Sequence, residues 1–345
     1  MISTMIENQF QQFPGTRYMG SKNKIIYSLW EHLSQLQFES AFDAFGGSNV
    51  VGYFLKCQGK KVITNDFLAF SYITSKAIIE NSSEQLNEDD IESLLRPNKN
   101  NKFIQTTFKD IFYSEDENKF LDTVSQNIAE LQNEYKSALA YSALVRACVK
   151  KRSRGIFTFV GERYNDGRVD MQKTISQHFA ESIDFFNAAV FDNGFQNEAH
   201  NSRTESISVN TDLVYLDPPY FTPKSDNDYT RRYHFIEGLV KNWKGLDIQE
   251  QSVVKKFASY KSPFAKRETA YEAFLDLFKA YKNSIIAISY SSNSFPTKDE
   301  LFEMLSNYKS NVVVHEIDHT YSIGNQNHKI GNKNNRVQEY LFIGK

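Results

Sequence analysis

The residues with the clearest chemical potential lie in the stretch TDLVYLDPPYFTP, residues 211 to 223. A short apolar run there ends in Asp217, Pro218, Pro219 and Tyr220. Proline cannot donate to a sheet and fixes its φ angle, so the pair ends a strand and stiffens the backbone after it. The Asp217 carboxylate and the Pro218 carbonyl are two acceptors that suit an NH₂ group with two hydrogens to donate. Tyr220 offers a flat ring on which a planar base can stack.

An exocyclic amine on an aromatic base is a poor nucleophile, because its lone pair is delocalised into the ring. Two acceptors on its hydrogens return electron density to nitrogen and favour the tetrahedral geometry that attack on a methyl sulfonium requires. The alternative to this catalytic role is a structural one, in which the four residues form a turn and the Tyr220 ring only fills space. The position of Asp217 at a strand end, where ligands bind in open α/β sheets, favours the catalytic interpretation.

Two further segments predict a nucleoside site. DAFGGSN, residues 43–49, follows a predicted strand, and Gly46 and Gly47 let its backbone turn tightly and approach a ligand. TND puts Asp66 at the end of the next strand, where an acid can accept both ribose hydroxyls, with Phe67 beside it to pack on adenine. Each feature alone is common in plain turns. Without a G-x-G-x-x-G fingerprint or a P-loop lysine, a nicotinamide oxidoreductase is disfavoured, and a nucleoside without phosphates such as S-adenosylmethionine fits.

These segments are expected to be held by alternating strands and helices. The pattern strand, helix, strand, helix runs to about residue 79, and apolar strands return after residue 210, which predicts a parallel α/β sheet. Residues 80–200 are polar at first and then carry an amphipathic helical pattern. We therefore expect a catalytic domain of residues 1–79 and 201–345, and an inserted domain over 80–200 with its own small core.

The composition limits the classes of protein. Of the 345 residues, 40% are hydrophobic and 24% charged, as is ordinary for a soluble globular protein. There is no signal-peptide pattern and no apolar run near the length of a membrane span, so we expect a cytoplasmic protein without a membrane partner. Cys57 and Cys148 are too few for a metal cluster, and no metal is expected. With a net charge of −2, nucleic-acid binding needs a local basic surface.

Together the motifs resemble the D12 class (Dam-like, alpha group) of DNA adenine-N6 methyltransferases. RYMGSK (17–22) is similar to the N-terminal motif of that family, and TND to its acidic ribose-binding position. DAFGGSN resembles its F-x-G-x-G cofactor loop, although here the second glycine is adjacent and Ser48 and Asn49 follow. DPPY matches its catalytic motif residue for residue. ISYSSN (288–293) is similar to the wall of its target-base pocket, and VQEYLFIGK to its closing strand.

The resemblance implies a Rossmann-like S-adenosylmethionine-dependent methyltransferase sheet with an inserted, mainly helical target-recognition domain. It implies that Asp217 and Pro218 hold the amine of a flipped adenine, that Pro219 stiffens this clamp and that Tyr220 stacks on the ring. Cofactor contacts would come from Tyr18, Lys22, Asp43, Phe45, Gly46, Gly47, Asp66 and Phe67, with Tyr18 and Lys22 at the methionine end. The family's Asp near the cofactor adenine has no clear counterpart, and Asn201 is the nearest polar candidate.

The expected activity is site-specific methylation of adenine N6 in double-stranded DNA within a prokaryotic restriction-modification system, with a restriction endonuclease as functional partner. An RNA or other amino-group methyltransferase and an inactive DNA-binding relative remain as alternatives. A solvated helix end explains the basic residues equally well, but a weakly acidic protein needs such a surface for phosphates. The expected DNA contacts are Lys150, Lys151, Arg152, Arg154, Arg163, Arg168, Arg231 and Arg232. We expect a monomer or weak dimer associated with the nucleoid.

Overall fold

A seven-stranded sheet forms the centre of the computed structural model, which describes residues 8–98, 101–161, 167–221, 228–320 and 336–345. The strands are β1 (Ser40–Asp43), β2 (Lys61–Asn65), β3 (Glu198–His200), β4 (Leu213–Leu216), β5 (Ile285–Ser291), β6 (Val312–Thr320) and β7 (Arg336–Gly344). Their order is β3-β2-β1-β4-β5-β7-β6. The strands β1 to β5 are parallel, and β7 lies antiparallel between β5 and β6. The expected α/β, Rossmann-like sheet is confirmed.

The order of the strands determines where a ligand can bind. The chain runs outward from β1 through β2 to β3, then returns to the other side of β1 as β4. Such a reversal leaves a crevice at the carboxyl ends of the two central strands. The segments after β1, β2 and β4 therefore meet at one edge of the sheet.

Helices cover both faces of the sheet, because its strands are apolar on both sides. On β4, Leu213 and Tyr215 belong to one hydrophobic cluster and Val214 and Leu216 to the other. The first cluster is covered by α1 (Ile26–Leu33), α2 (Val50–Cys57), α3 (Ala69–Ser75), α4 (Glu88–Leu95), α5 (Phe103–Thr107), α6 (Glu115–Glu130), α7 (Glu134–Lys151), α8 (Ile175–Ala189) and α9 (Tyr229–Val240). The second is covered by α10 (Arg267–Ala280) and α11 (Lys298–Ser306).

The helices of the insertion begin at strong local signals. Ser114 and Glu117 form a capping box at the start of α6, and Thr174 and Gln177 form another at the start of α8. Each box satisfies two backbone N–H groups that a helix start leaves without partners. In α7, every residue from 138 to 149 is buried, so this helix lies inside the protein rather than on its surface.

The insertion differs from expectation in two respects. Residues 198–200 form β3, which pairs in parallel with β2, so the predicted boundary at residue 200 cuts through the sheet and must be corrected. The three residues, Glu-Ala-His, have no apolar run that could have indicated a strand. The buried side chains of α4 to α8 also form one continuous hydrophobic cluster with those of α2 and α3, rather than a separate small core.

Two kinds of feature are absent from the described residues. In the part of the chain that the structure describes, no helix is long and apolar enough to cross a bilayer. The same residues bring together no group of three His, Cys, Asp or Glu side chains that could hold a metal ion. Both cysteines are buried as free thiols.

Candidate active site

The predicted motifs meet at a cleft formed by the carboxyl ends of β2, β1 and β4. The empty space of the cleft, counted together with its open mouth, is about 670 Å³. The segment 18–22, the loop after β1 and the D-P-P-Y residues all contribute to its wall. Of the predicted cofactor and catalytic residues, the cleft is lined by Tyr18, Lys22, Asp43, Phe45, Gly46, Gly47, Asp66, Phe67, Asp217, Pro218, Pro219 and Tyr220.

The glycine loop follows the sharp course that its sequence predicts. Gly47 has φ +52°, and a Cβ there would lie 3.1 Å from the ring of Tyr18. A Cβ on Gly46 would lie 2.9 Å from the side-chain oxygen of Asn49. Only glycine therefore lets this backbone pass between the Tyr18 ring and the start of α2.

Asn49 explains the departure from the F-x-G-x-G pattern, because it stands where the second glycine would be. Its φ is +63°, in the left-handed region, which Asn tolerates better than most side chains. It is completely buried, and its amide nitrogen donates to the carbonyl of Ser71 at 2.9 Å, while its amide oxygen accepts from Ser75. Asn49 thus adopts a glycine-like conformation and also ties the loop to α3.

Asp66 organises the same loop from the end of β2. One carboxylate oxygen accepts from the N–H of Gly47 at 2.7 Å and from the Ser71 hydroxyl at 3.2 Å, and the other accepts from the N–H of Leu68 at 2.8 Å. Burial raises the pKa of Asp66 to about 6 in spite of these hydrogen bonds. The predicted ribose contact remains a prediction, since part of the acceptor capacity already serves the protein.

The side chain of Asn201 holds the backbone of this region. Its amide nitrogen donates to the main-chain carbonyl of Asp66 at 2.8 Å, and Asn201 is not among the residues that line the cleft. Next to Asp66, Phe67 meets the ring of Tyr260 edge to face at 5.0 Å, and the guanidinium of Arg203 lies 4.3 Å from that ring. A cofactor contact by Asn201 stays a prediction.

Asp43 is a buried carboxylate at the end of β1 with an unusual environment. Neither of its oxygens accepts a hydrogen bond from the described residues, although the N–H groups of Phe45 and Gly52 lie near enough to lower its pKa. Burial first, and then the charge of Asp217, raise the pKa of Asp43 to about 7. A buried carboxylate without a partner is costly, so this wall of the cleft is suited to a cation.

Lys22 contacts the catalytic motif directly. Its ammonium donates to Oδ1 of Asp217 at 2.7 Å and to the carbonyl of Gly20 at 3.2 Å, and lies 3.4 Å from Oε1 of Glu339. Burial raises the pKa of Asp217 to about 6, Lys22 opposes this rise and Glu339 adds to it. The family resemblance implies that Lys22 lies at the methionine end of the cofactor, whereas its contacts here are with the protein.

Three residues in contact with the predicted site residues were not predicted from the sequence. Glu339 occupies a buried position on β7, on the same strand face as Leu341 and Ile343. The available signal was a charged residue next to the apolar run 340–343. Tyr229 and Tyr233 are four apart on α9 and hence share a helix face. The two tyrosines lie on the ring of Tyr18, with centroids 5.7 and 5.2 Å away.

The same two tyrosines hold the backbone of the N-terminal segment. The hydroxyl of Tyr233 accepts from the N–H of Met19 at 2.9 Å, and that of Tyr229 donates to the Met19 carbonyl at 3.2 Å. On the other side of the cleft, Tyr220 meets Tyr290 edge to face at 5.4 Å. That contact joins the D-P-P-Y motif to the segment 288–293, which resembles a base-pocket wall.

The predicted DNA-binding cations differ in how far they are exposed to solvent. Arg152 is 2% exposed, and its guanidinium donates to the carbonyls of Phe159 and Gly161 at 2.8 and 2.9 Å, which makes a direct DNA contact untenable in this structure. Lys150 and Arg168 both pair with Asp170, and Lys151 pairs with Glu117. Arg154 and Arg231 are exposed, and Arg232 is half-buried. Arg163 lies outside the described residues.

The family follows from a comparison with known proteins. Residues 18–304 match the family described as D12 class N6 adenine-specific DNA methyltransferase. The chain belongs to this family. It is therefore an adenine-specific DNA methyltransferase, and the resemblance that the motifs predicted is confirmed.

Individual relatives of this D12 methyltransferase cover nearly its whole length. The Type II methyltransferase M2.HphI of Haemophilus parahaemolyticus is 28% identical over 96% of this chain and 98% of its own. The Type II methyltransferase M.CviAII of Paramecium bursaria Chlorella virus 1 is 23% identical over 94% of this chain and 97% of its own. The modification methylase StsI of Streptococcus sanguinis is 25% identical over 94% of this chain but only 51% of its own.

The position of Asn49 generates a prediction about the cofactor loop. Asn49→Ala loses the buried amide contacts and must also strain a non-glycine residue at positive φ, so we expect the free energy of unfolding to fall by about 2–4 kcal/mol. Asn49→Gly loses the same contacts without the strain, and should be about 1 kcal/mol less destabilised than the Ala variant. Urea unfolding of the three proteins measures the difference. Equal stabilities of the two variants would show that the left-handed conformation is not required.

Proposed function

We propose that this D12 methyltransferase transfers a methyl group from S-adenosylmethionine to the N6 amine of an adenine that has left the stack of double-stranded DNA, at specific sequences. The observation that carries the proposal is the convergence of the D-P-P-Y residues, the glycine loop and the Asp43 carboxylate on one cleft; among the described residues Asp43 accepts no hydrogen bond. An adenine inside a duplex cannot enter such a cleft, so flipping of the base is part of the proposal.

The residues that line the cleft fit S-adenosylmethionine. The cofactor carries an ammonium and a sulfonium, and Asp43 is a buried anion without a hydrogen-bond partner among the described residues. Gly47 keeps the backbone open beside the Tyr18 ring, where a larger residue would close it. We propose that Tyr18, Asp43, Phe45, Gly46, Gly47, Asp66 and Phe67 hold the cofactor.

The D-P-P-Y residues would act on the amine. When bound, S-adenosylmethionine would supply an electrophilic methyl group. Its transfer to N6 would break the C–S bond, leave a neutral thioether and release one N6 proton to water. Oδ1 of Asp217 accepts a hydrogen bond from the Lys22 ammonium, whereas Oδ2 accepts none from the described residues. Oδ2 and the Pro218 carbonyl would accept the two amine hydrogens, Pro219 would stiffen the pair, and Tyr220 would support the ring.

The DNA surface would use exposed cations on the face that carries the insertion. Arg154 follows α7 and Arg231 lies in the first turn of α9, and both side chains are exposed. Lys150, Lys151 and Arg168 could reach phosphates only by exchanging Asp170 or Glu117 for DNA. Arg152 is buried and therefore does not contribute to this surface.

The biological setting belongs to the same proposal. Relatives named Type II methyltransferase and modification methylase support a role in restriction-modification, with a restriction endonuclease as functional partner. We propose that the protein acts on this DNA in the nucleoid as a monomer or weak dimer, and that the insertion reads the sequence.

Methylation of plasmid DNA tests the central claim. Wild-type protein with labelled S-adenosylmethionine should place label on adenines at one sequence, found by sequencing. Asp217→Asn keeps the shape but removes an anionic acceptor, so we expect the methylation rate to fall by about 10²–10³-fold while DNA binding persists. Asp247→Asn, an exposed substitution of the same kind, serves as the control. Label on RNA alone, or undiminished methylation by Asp217→Asn, would refute the proposal.

The pKa of Asp43 predicts how cofactor affinity depends on pH. Burial raises this pKa to about 7, so the carboxyl group becomes neutral as the pH falls below 7 and no longer attracts a cation. The dissociation constant of S-adenosylmethionine should increase about tenfold at pH 6. Asp43→Asn should bind weakly at pH 7.5 and lose most of that dependence, apart from what Asp66 and Asp217 add near pH 6. Calorimetric titration measures the dissociation constant of S-adenosylmethionine for the wild type and for Asp43→Asn at each pH. The same pH dependence in the two proteins would contradict a cofactor contact by Asp43.

The exposed arginines predict a salt-dependent effect on DNA affinity. Arg154→Ala and Arg231→Ala should each weaken duplex binding and lower the slope of log affinity against log salt by about 1. Lys279→Ala is the matched control, because this exposed cation lies on α10, which packs on the other face of the sheet. Fluorescence anisotropy at several salt concentrations gives the slopes. Slopes that equal the control's would exclude phosphate contacts by these arginines.

A further inference from the structure

We propose that Glu339 is a positioning residue for methyl transfer: it shares the Lys22 ammonium with Asp217, and so keeps Asp217 a strong acceptor with one oxygen left for the target amine. This inference rests on the proposed function. It assigns a role to a residue of the closing strand that has no place in the D-P-P-Y motif or the glycine loop.

The burial of Glu339 is the first observation. Its side chain is 0% exposed, on β7, in a strand face that is otherwise apolar. A carboxylate costs several kcal/mol to bury, so it needs hydrogen bonds and an opposite charge to remain in the folded protein. Oε1 has both: the Ser289 hydroxyl donates to it at 2.8 Å, and the Lys22 ammonium lies 3.4 Å away.

The register of the sheet brings Glu339 next to the catalytic acid. Leu216 of β4 pairs with Ile288 of β5, so Asp217 and Ser289 are the next residues along the two strands. Ser289 in turn pairs with Leu341 of β7, and Glu339 lies two residues from Leu341 on the same face. The three polar side chains therefore form a row at the edge of the cleft.

Lys22 completes this row from outside the sheet. It stands in the short helical turn Lys22–Lys24 and is 3% exposed, and its ammonium contacts Asp217 and Glu339 together. An ammonium shared by two carboxylates neutralises neither completely. Asp217 therefore retains acceptor strength that an exclusive ion pair would reduce, and the position of the ammonium fixes which of its oxygens is occupied.

Other charged and titratable groups also face Asp217. Asp43 approaches from β1, Tyr215 from β4 and Tyr229 from α9, and Tyr18 lies beside the glycine loop. Burial raises the pKa values of the three tyrosines well above the ordinary value, so they stay neutral in the working range. Lys22 lowers the pKa of Asp217 and Glu339 raises it, so removal of either charge has a predictable sign.

The test is the pH profile of methylation by matched variants at saturating S-adenosylmethionine. Glu339→Gln preserves shape but removes the negative charge, so the acidic limb of kcat/KM for DNA should move to lower pH by about one unit. The methylation rate at pH 8 should fall about 10- to 100-fold, with the dissociation constants for DNA and cofactor changed less than about twofold. Glu339→Asp keeps the charge, and its acidic limb should stay within about 0.3 unit of the wild type.

Lys22→Met carries the opposite prediction. Loss of the positive charge should move the acidic limb to higher pH, and this variant also decides the question if Glu339→Gln does not fold. Thermal unfolding of each variant measures structural damage separately. The inference would be overturned if the acidic limb of the kcat/KM profile did not move in Glu339→Gln or Lys22→Met. It would also be overturned if the methylation rate fell only in proportion to the fraction of folded protein. Failure of the wild type to methylate adenine would instead refute the proposed function, so the two failures are distinguishable.

Discussion

The structure of the cleft depends on an excess of buried negative charge. Asp43, Asp66 and Glu339 are buried and Asp217 is partly buried, all in one region of the sheet edge. Lys22 is the only Lys or Arg among the described residues that line the cleft. One ammonium cannot compensate four carboxylates in a medium of low dielectric constant. The raised pKa values of Asp43, Asp66 and Asp217 follow from this imbalance, and so does the suitability of the cleft for a positively charged ligand.

Hydrogen bonds from backbone N–H groups and hydroxyls offset part of the free-energy cost of burying these carboxylates. Asp66 receives two backbone N–H groups and a hydroxyl, and Glu339 receives a hydroxyl. Asp43 receives none from the described residues and has the highest pKa of the three aspartates. Asp66 and Glu339 are thus hydrogen-bonded within the protein, whereas both oxygens of Asp43 lack a hydrogen bond from the described residues.

Much of this site could be predicted from the sequence because parallel strands end at a common edge. Once D-P-P-Y, the glycine loop and Asp66 are recognised as strand ends, their convergence is a necessity of topology. Glu339 and the tyrosines of α9 could not be assigned in this way, because periodicity gives a face but not its partner. Arg152 shows the reverse error: a cation in a basic run was expected at the surface, yet main-chain carbonyls around it hold it inside.

The burial of α7 limits how far this protein can be treated as a set of exchangeable parts. Twelve successive residues of that helix are buried, and they pack against α3 as well as against α8. A transplant joined at residues 79 and 200 would separate β3 from β2 and leave the core of the recipient to fit foreign side chains. Exchange of surface loops would disturb this shared core less than exchange of the whole segment, since the interior of the insertion belongs to the catalytic fold.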